Sequence, residues 1–319
     1  MKKTSRKERN KLIIDAHTDV LWKMLNYPDI DFYEASNQLD VNFPNMEKGN
    51  IDVQVFAIFV STYSKTSRFS IAMQSIDDFY EKILRSNQIQ LATNFKQIES
   101  GLKLGRKIAL LSLEGAEAIE GDLRKLRAFY RLGVRAMGLT WNHANEVADG
   151  VGESRNGGLT SFGRLVVEEM NRLGMMIDVS HLAETGFWEV IELTKAPIIA
   201  SHSNSRQICN HPRNLTDEQI QAIIENGGMI GVTFVRDFTA HKEDPNIEDL
   251  VKHIEHIAEL GGISNIGLGS DFDGATPVVG LENASRINCL TNVLSKHYPD
   301  DQVQGILGKN WLNYYKKIL

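Results

Sequence analysis

The chain has few of the features that mark secreted, membrane-spanning or nucleic-acid-binding proteins. Its 319 residues include only two cysteines, Cys209 and Cys289, which cannot form a disulfide framework and favour a cytoplasmic location. No apolar run approaches the roughly 18 residues that would predict a transmembrane helix. The 35 Lys and Arg are outnumbered by 41 Asp and Glu, giving a net charge of −6. We therefore expect neither a nucleic acid nor an anionic membrane as a partner.

Positive charge is concentrated only at the N-terminus. Residues 1–11 contain six Lys and Arg and resemble the basic start of a signal peptide. However, Asp15, His17 and Asp19 interrupt the apolar run that follows, before it reaches the length of a signal sequence. We therefore predict a solvated basic tail over residues 1–11 and, because no linker-like segment follows, a single domain over residues 12–319.

Short apolar runs alternate with longer amphipathic stretches along the whole chain. Runs of this length suit strands that are buried on both faces, as in parallel sheets. The eight predicted strands are Leu12–Ile14, Val53–Val60, Ile108–Leu113, Val134–Leu139, Met175–Val179, Pro197–Ala200, Met229–Phe234 and Asn265–Gly269. The predicted helices cover approximately residues 71–100, 121–132, 160–173, 183–194, 216–226, 246–260 and 300–318. The alternation predicts an α/β fold, either a TIM-like (β/α)8 barrel or a doubly wound open sheet.

Histidines and carboxylates follow five of the predicted strands. In chain order they are His17 with Asp19, then Glu114, His181, His202 and Asp271. Functional side chains of (β/α)8 barrels lie at the C-terminal ends of the strands, so this placement favours the barrel over the open sheet. Imidazole and carboxylate groups that meet at one rim are suitable ligands for a divalent metal. The sequence therefore predicts a metal site at the C-terminal rim of a barrel.

The spacing of these residues supports the metal site. His17 and Asp19 are two residues apart, which places both side chains on one face of a strand. His181 and His202 follow successive strands in the matched segments D-V-S-H and I-A-S-H. Glu114 is the first charge after an apolar strand, and its two oxygens could bridge two metals. A hydrogen-bonded core histidine is the simpler interpretation of any one of these histidines, but metal binding is the better interpretation of the set.

Other polar residues receive different interpretations. Asp271 lies nearer to the last strand than Asp273 and is the candidate proton carrier, whereas Asp273 is expected to serve the turn. Arg213 could bind a carboxylate through two hydrogen bonds, as recognition of a peptide C-terminus would require. His253 and His256 are expected on the solvent-facing side of a helix.

Taken together, these segments resemble the renal (membrane) dipeptidase family of zinc-dependent dipeptidases. The resemblance covers most of the chain and rests on the order and spacing of many segments. These are IIDAHTDV, ALLSLEGAEAI, GVRAMGLTWNHANEVADG, GLTSFGRLVVEEMNRLGMMIDVSH, IIASHSNSR, HPRNLTDE, GLGSDFDG and GKNWLNYY. The family implies a homodimeric barrel with two Zn²⁺ per chain that cleaves dipeptides, often with a D-residue at the C-terminal position.

The resemblance also implies roles for individual residues. His17 and Asp19 match the ligands of one zinc, His181 and His202 match those of the other, and Glu114 matches the bridging carboxylate. In addition, the resemblance implies that Arg213 binds the terminal carboxylate of the substrate and that Asp271 handles the proton and the amino group.

One position departs from the best-known animal members of the family. In those proteins a histidine follows the Leu-Thr of the fourth strand and stabilises the tetrahedral intermediate. Here Leu-Thr is followed by Trp141, Asn142 and His143. His143 could reach the same space, or Asn142 could donate the hydrogen bond, so both are candidate substrate-binding residues.

The sequence therefore predicts a dipeptidase in which a metal-bridging hydroxide attacks the scissile carbonyl of a free dipeptide. Two alternatives stay open: a related barrel amidohydrolase that acts on N-acyl amino acids or β-lactams, and a metal-binding barrel without catalytic activity. Mixed imidazole and carboxylate sites also accept manganese or cobalt, so the sequence leaves the metal and the preferred dipeptide undecided.

Overall fold

A computed structural model describes residues 11–319 of the chain. Apart from Lys11, the predicted basic tail lies outside the described residues. Between residues 11 and 319 there are nine strands. They are β1 Ile14–Asp15, β2 Val53–Phe59, β3 Ile89–Leu91, β4 Lys107–Glu114, β5 Val134–Gly138, β6 Met176–Asp178, β7 Ile199–Ala200, β8 Met229–Val232 and β9 Ile266–Leu268.

Eight of these strands form a closed parallel barrel. The order around the barrel is β1, β2, β4, β5, β6, β7, β8 and β9, and β9 pairs with β1 to close the ring. β2 pairs directly with β4 over seven residue pairs, from Val53 with Ile108 to Phe59 with Glu114. The predicted (β/α)8 barrel is thus confirmed, and the open sheet is excluded because an open sheet has two free edges.

The helices surround the barrel and connect its strands. In the described part of the chain they are α1 Val20–Asn26, α2 Phe43–Gly49, α3 Arg68–Asp78, α4 Phe95–Lys103, α5 Leu123–Arg131, α6 Ser161–Leu173, α7 Glu184–Leu193, α8 Asp217–Glu225, α9 Arg236–Thr239, α10 Ile247–Ile257, α11 Ile287–His297, α12 Asp300–Gln304 and α13 Asn310–Ile318. Short π-helical turns continue α3, α10 and α12 over Phe79–Ile83, Ala258–Gly262 and Gly305–Lys309, and single 3₁₀ turns lie at Glu117–Ile119 and Ala284–Arg286. No helix in this part of the chain is both long enough and apolar enough to cross a membrane.

The predicted helix over residues 71–100 is wrong. The chain leaves the helical conformation after Ile83, forms β3, and begins a new helix at Phe95. Asn94 caps this second helix, because its side chain accepts a hydrogen bond from the backbone N–H of Gln97. β3 pairs with the N-terminal part of β4, for example through Leu91 and Ala109, and is not part of the closed ring. Local periodicity did not reveal this strand, since its pairing partner is distant in sequence.

The opposite end of the barrel from the predicted site is closed by α13. Trp311, Tyr314 and Tyr315 of this helix are buried and form one apolar cluster with strand residues such as Ile14 and Ile108. The Trp311 indole N–H donates to the backbone oxygen of Leu268 in β9. Aromatic side chains thus fill the N-terminal end of the barrel, whereas polar side chains gather at the C-terminal end.

Candidate metal centre

The structure brings together all six residues that the sequence placed at the strand ends. His17 and Asp19 follow β1, Glu114 ends β4, and His181, His202 and Asp271 follow β6, β7 and β9. Five of them are buried and Asp271 is nearly so. Three groups of three ligand atoms lie within 4.8 Å of one another: His17 with Asp19 and Glu114, Glu114 with His181 and His202, and His17 with His202 and Asp271.

Carboxylate oxygens surround the His17 ring at distances too long for hydrogen bonds. Its Nε2 atom is 3.6 Å from Asp19 Oδ2, 3.7 Å from Glu114 Oε2 and 3.8 Å from Asp271 Oδ1. This buried nitrogen makes no hydrogen bond to any of the described residues. Two ligand atoms of a tetrahedral zinc, each at about 2.1 Å, are about 3.4 Å apart. The spacing around His17 therefore fits atoms that share a metal ion.

The second group lies on the other side of Glu114. Its Oε1 atom is 3.0 Å from His181 Nε2 and 3.6 Å from His202 Nε2. The two imidazole Nε2 atoms face each other at 2.8 Å. Glu114 thus directs one oxygen toward His17 and the other toward the histidine pair, which is the arrangement of a bridging carboxylate.

Hydrogen bonds at the far side of each ring fix which nitrogen faces the cluster. The Nδ1 atom of His181 donates to Asn142 Oδ1 at 2.7 Å, which leaves the Nε2 lone pair free. The Nδ1 atom of His202 is 2.7 Å from Ser201 Oγ, and the same hydroxyl is 3.5 Å from His17 Nδ1. Metal-binding histidines characteristically use their second nitrogen in this way.

The electrostatics of the cluster also suit a cation. Burial and the nearby Arg213 lower the pKa of His181 to about 4, and burial with the charge of His17 lowers the pKa of His202 well below its usual range. Both rings are therefore neutral near pH 7 and present lone pairs. Burial and the adjacent Asp19 raise the pKa of Asp271 well above its usual range. Buried carboxylates that crowd one another are costly unless a cation compensates them.

The backbone is strained where it places two of these side chains. His181 has φ +67° and Asp271 has φ +63°, a left-handed conformation that residues other than glycine rarely adopt. Such residues are typical of functional sites, where the surrounding structure holds them in place. Next to Asp271, a Cβ atom on Gly274 would lie 2.1 Å from Asp19 Oδ2, so only glycine fits there.

Two buried carboxylates beneath the cluster were missed by the sequence analysis. Asp178 Oδ1 accepts hydrogen bonds from the backbone N–H groups of Ser180 and Ser201, and so links the turns that carry His181 and His202. Asp15 similarly accepts from the backbone and hydroxyl of Ser270. The only sequence signal was that each aspartate precedes a site histidine by two or three residues.

Arg213 lies beside the histidine pair. Its side chain is buried, with 6% of the residue exposed, and Nη2 donates to the backbone oxygen of His202 at 3.1 Å. Its Nε atom makes no hydrogen bond to the described residues. Burial lowers its pKa to about 10, so the guanidinium is still charged at neutral pH. Arg213 and His181 both line a cavity of about 180 Å³, which provides space for a small ligand.

The two candidate substrate-binding residues after β5 occupy different positions. Asn142 contacts the back of the His181 ring through its side-chain oxygen. His143 lies at the rim, where its ring contacts Trp141 and Tyr63 with centroid distances of 5.9 and 5.5 Å. Its Nδ1 atom is 3.5 Å from Glu153 Oε1. His143 is thus separated from the buried cluster, whereas Asn142 touches it.

The interpretation of His253 as a solvent-facing residue is wrong. The ring is fully buried, Nδ1 accepts from the backbone N–H of Ser205, and Nε2 donates to the backbone oxygen of Thr239. His256 is half-buried and pairs with Asp217 at 2.8 Å. Asp273 was expected to serve its own turn, but its carboxylate accepts hydrogen bonds from the backbone N–H groups of residues 40 and 41 and from Lys23, so it anchors a distant loop.

Comparison with known proteins gives a consistent result. Residues 1–318 match the family model described as membrane dipeptidase (peptidase family M19). A Klebsiella pneumoniae protein, described as an uncharacterized protein in the pqqA 5′ region, is 37% identical over 217 residues, covering 65% of this chain and 80% of that protein. Human dipeptidase 3 is 30% identical over 96% of this chain, which spans only 65% of the human protein's length.

A solved structure matches over nearly the whole chain. It is a metallo peptidase from Rhodobacter sphaeroides in complex with a phosphinate mimic of the dipeptide L-Ala-D-Ala. Its TM-score is 0.91 at 26% identity, and the match covers 97% of this chain and 100% of that one. The barrel, its rim cluster and these similarities define a hydrolase of the metallopeptidase class. The chain belongs to the membrane dipeptidase family, peptidase family M19.

Proposed function

We propose that this protein is a zinc-dependent dipeptidase with two Zn²⁺ per chain. The observation that carries the proposal is the position of Glu114, whose two oxygens face two separate groups of buried ligands. His17 and Asp19 would complete one metal site with Glu114, and His181 and His202 would complete the other. Ions held there would polarise the scissile carbonyl and make water a strong nucleophile near neutral pH.

Arg213 would bind the C-terminal carboxylate of the substrate. Its guanidinium is buried and charged, it has a free Nε–H, and it lies in a cavity that also contains the ring of His181. An arginine that must pair with a terminal carboxylate close to the metal ligands leaves space for one residue beyond the scissile bond. This limit favours dipeptides over longer peptides.

Asp271 would carry the proton to the leaving amine. Its carboxyl lies on the open side of the His17 group, with Oδ1 3.8 Å from His17 Nε2, and it is less buried than the ligands around it. Burial raises its pKa well above the usual range, which suits a carboxyl that must accept and release a proton near neutral pH.

Asn142 and His143 would act in different ways. Because Asn142 accepts the Nδ1 proton of His181, we assign it to the orientation of that ligand instead of to direct contact with the substrate. His143 lies at the rim of the site and is available to contact the substrate from there.

The remaining proposals concern the whole protein. We propose that residues 12–319 form one domain, that the protein is a homodimer, and that it is cytoplasmic. The family resemblance supports the dimer, and the absence of any disulfide between Cys209 and Cys289 agrees with a reducing compartment.

The direct test is release of amino acids from L-Ala-L-Ala, L-Ala-D-Ala and N-acetyl-alanine by the zinc-loaded protein. We expect at least one of the two free dipeptides to be cleaved. A chelator should abolish this activity, and added Zn²⁺ should restore it. The ratio between the two dipeptides defines the stereochemical preference. Cleavage of N-acetyl-alanine alone would assign the protein to the acyl-amino-acid hydrolases, and no cleavage by metal-loaded protein would contradict the proposed activity.

A further inference from the structure

Four aromatic rings form a continuous wall at one side of the metal cluster. This aromatic wall consists of Phe59, Trp141, His143 and Tyr63. The ring centroids are 5.3 Å apart for Phe59 and Trp141, 5.9 Å for Trp141 and His143, and 5.5 Å for His143 and Tyr63. The Trp141 ring is also 6.1 Å from the ring of His181. The wall therefore begins at the cluster and extends outward to the rim.

The inner part of the wall faces the mouth of the barrel. Phe59 ends β2 and is in register with Glu114 at the end of β4. Paired residues of neighbouring strands direct their side chains to the same face of the sheet, so Phe59 projects in the same direction as the bridging carboxylate. Phe59 and Trp141 are partly exposed and Tyr63 is 71% exposed, so apolar surface is left open beside the buried ligands. Exposed aromatic surface next to a reaction centre indicates a binding surface.

Arg213 and the aromatic wall lie on different sides of the barrel mouth. Arg213 is in the loop after β7. Phe59 ends β2, which stands four strands from β7 in the closed ring and is directly opposite it, whereas Trp141 follows β5, two strands from β7. The ring of His181 lies between the two regions, since it lines the Arg213 cavity and also contacts Trp141. The mouth therefore has a charged side and an aromatic side with the candidate metal ligands between them.

This asymmetry gives the dipeptide a direction. If Arg213 holds the C-terminal carboxylate and the scissile carbonyl lies over Glu114, the N-terminal residue must lie on the far side of the ligands. On that side Asp19 follows β1, three strands from β7, and offers a carboxylate to the α-amino group. The adjoining strand on that side is β2, which carries Phe59.

We propose that the aromatic wall binds the side chain of the N-terminal residue and selects dipeptides in which that residue is apolar or aromatic. This inference rests on the proposed dipeptidase function and adds a substrate class to it. Trp141, which stands where the animal members of the family have a histidine, is a specificity residue in this account. The wall would bury part of the side chain of an N-terminal phenylalanine. We therefore expect kcat/KM to be about tenfold higher for a dipeptide with N-terminal phenylalanine than for one with N-terminal alanine.

The test compares kcat/KM for Phe-Ala, Ala-Ala and Ala-Phe, each with the C-terminal configuration that the enzyme accepts. We expect Phe-Ala to exceed Ala-Ala about tenfold in the wild-type enzyme. Trp141→Ala should lower kcat/KM for Phe-Ala about tenfold more than for Ala-Ala or Ala-Phe, and Trp141→Phe should restore most of the difference. Tyr63→Ala, at a residue that is mostly exposed and therefore safe for folding, should reduce the same preference about two- to threefold.

A matched control is Leu104→Ala. Leu104 is 68% exposed and precedes β4, at the opposite end of that strand from Glu114. This variant should leave all three substrates unchanged. An equal loss for Phe-Ala and Ala-Ala in Trp141→Ala would overturn the proposal, because it would mean that the residue acts through His181. A Phe-Ala preference that survives both Trp141→Ala and Tyr63→Ala would also overturn it. Failure to cleave any dipeptide would instead contradict the proposed function, so the two failures are distinguishable.

Discussion

The chain buries histidines in two regions, and their surroundings differ in kind. At the rim, His17 Nε2 has no hydrogen-bond partner among the described residues, and the Nε2 atoms of His181 and His202 face each other. In α10, by contrast, His253 is saturated, because Ser205 donates to one nitrogen and the other donates to Thr239. A buried histidine with both nitrogens paired is structural. His181 and His202, whose unprotonated Nε2 atoms face each other beside a carboxylate, instead need a cation.

The same contrast applies to charge. Within residues 11–319 the hydrogen-bond partners of the His253 ring are backbone groups, and burial lowers its pKa to about 4. Around His17, three carboxylate oxygens lie within 3.8 Å and, despite the burial of the ring, Glu114 and Asp19 raise its pKa well above the usual range. Burial alone therefore does not identify a functional histidine. The identity and number of its partners do.

The largest effect should come from His202→Ala. Removing this side chain would leave the proposed site of Glu114, His181 and His202 with two ligands. Loss of a side chain that hydrogen-bonds to a metal ligand typically costs 10- to 100-fold. We expect dipeptide turnover to fall by more than this, because a ligand itself is removed. The circular dichroism spectrum should be retained, because the barrel does not depend on this side chain. Substantial turnover by the metal-loaded variant would contradict the assignment of His202 as a ligand.

A substitution at His253, in the second of the two regions, should change the stability of the protein and its pH dependence but not the activity. In His253→Gln the side chain keeps a donor and an acceptor but cannot be protonated. The His253 pKa is about 4 when folded and its ordinary value is 6.5, so between these values the unfolded chain binds more protons and protein stability falls as pH decreases. The wild type should therefore lose up to about 3 kcal/mol of unfolding free energy from this residue between pH 6.5 and 4.

Urea unfolding of both proteins across that pH range measures this difference. The His253→Gln curve should lack this part of the pH dependence, and its turnover at pH 7 should be close to that of the wild type. A parallel decline of both proteins with pH would show that His253 is not held in the neutral form.

A smaller effect is expected from Asn142→Ala, which removes the hydrogen-bond partner of His181 but none of the proposed ligands. Without the acceptor at 2.7 Å, the His181 ring loses its fixed orientation and tautomer. Zinc affinity should fall about 10- to 100-fold, as is typical for such partners. Competition with a chromogenic chelator measures this affinity directly. Unchanged affinity would mean that Asn142 contacts the substrate instead, as the sequence also allowed.

The sequence predicted the barrel, and the polar residues that the structure brings together at its rim, because both depend on local patterns. Eight apolar runs mark the strands. Glu114 directly follows its run, and His17 and His181 follow theirs within three residues. The break in the helix predicted over residues 71–100 could not be anticipated, because β3 is stabilised by pairing with β4. The burial of His253 was also missed, since its partners are Ser205 in the loop after β7 and Thr239 at the end of α9, both distant in sequence. Nor does any local pattern predict that His181 and Asp271 adopt left-handed backbone angles.

The cluster at the rim of the barrel is proposed to hold two metal ions that share Glu114. The most direct measurement is the zinc content per chain, determined by mass spectrometry on protein that was stripped with a chelator, reloaded with Zn²⁺ and separated from free metal. We predict two Zn²⁺ per chain in the wild type. A value of one or none in folded protein would contradict it, since Glu114 would then have no second metal to bridge.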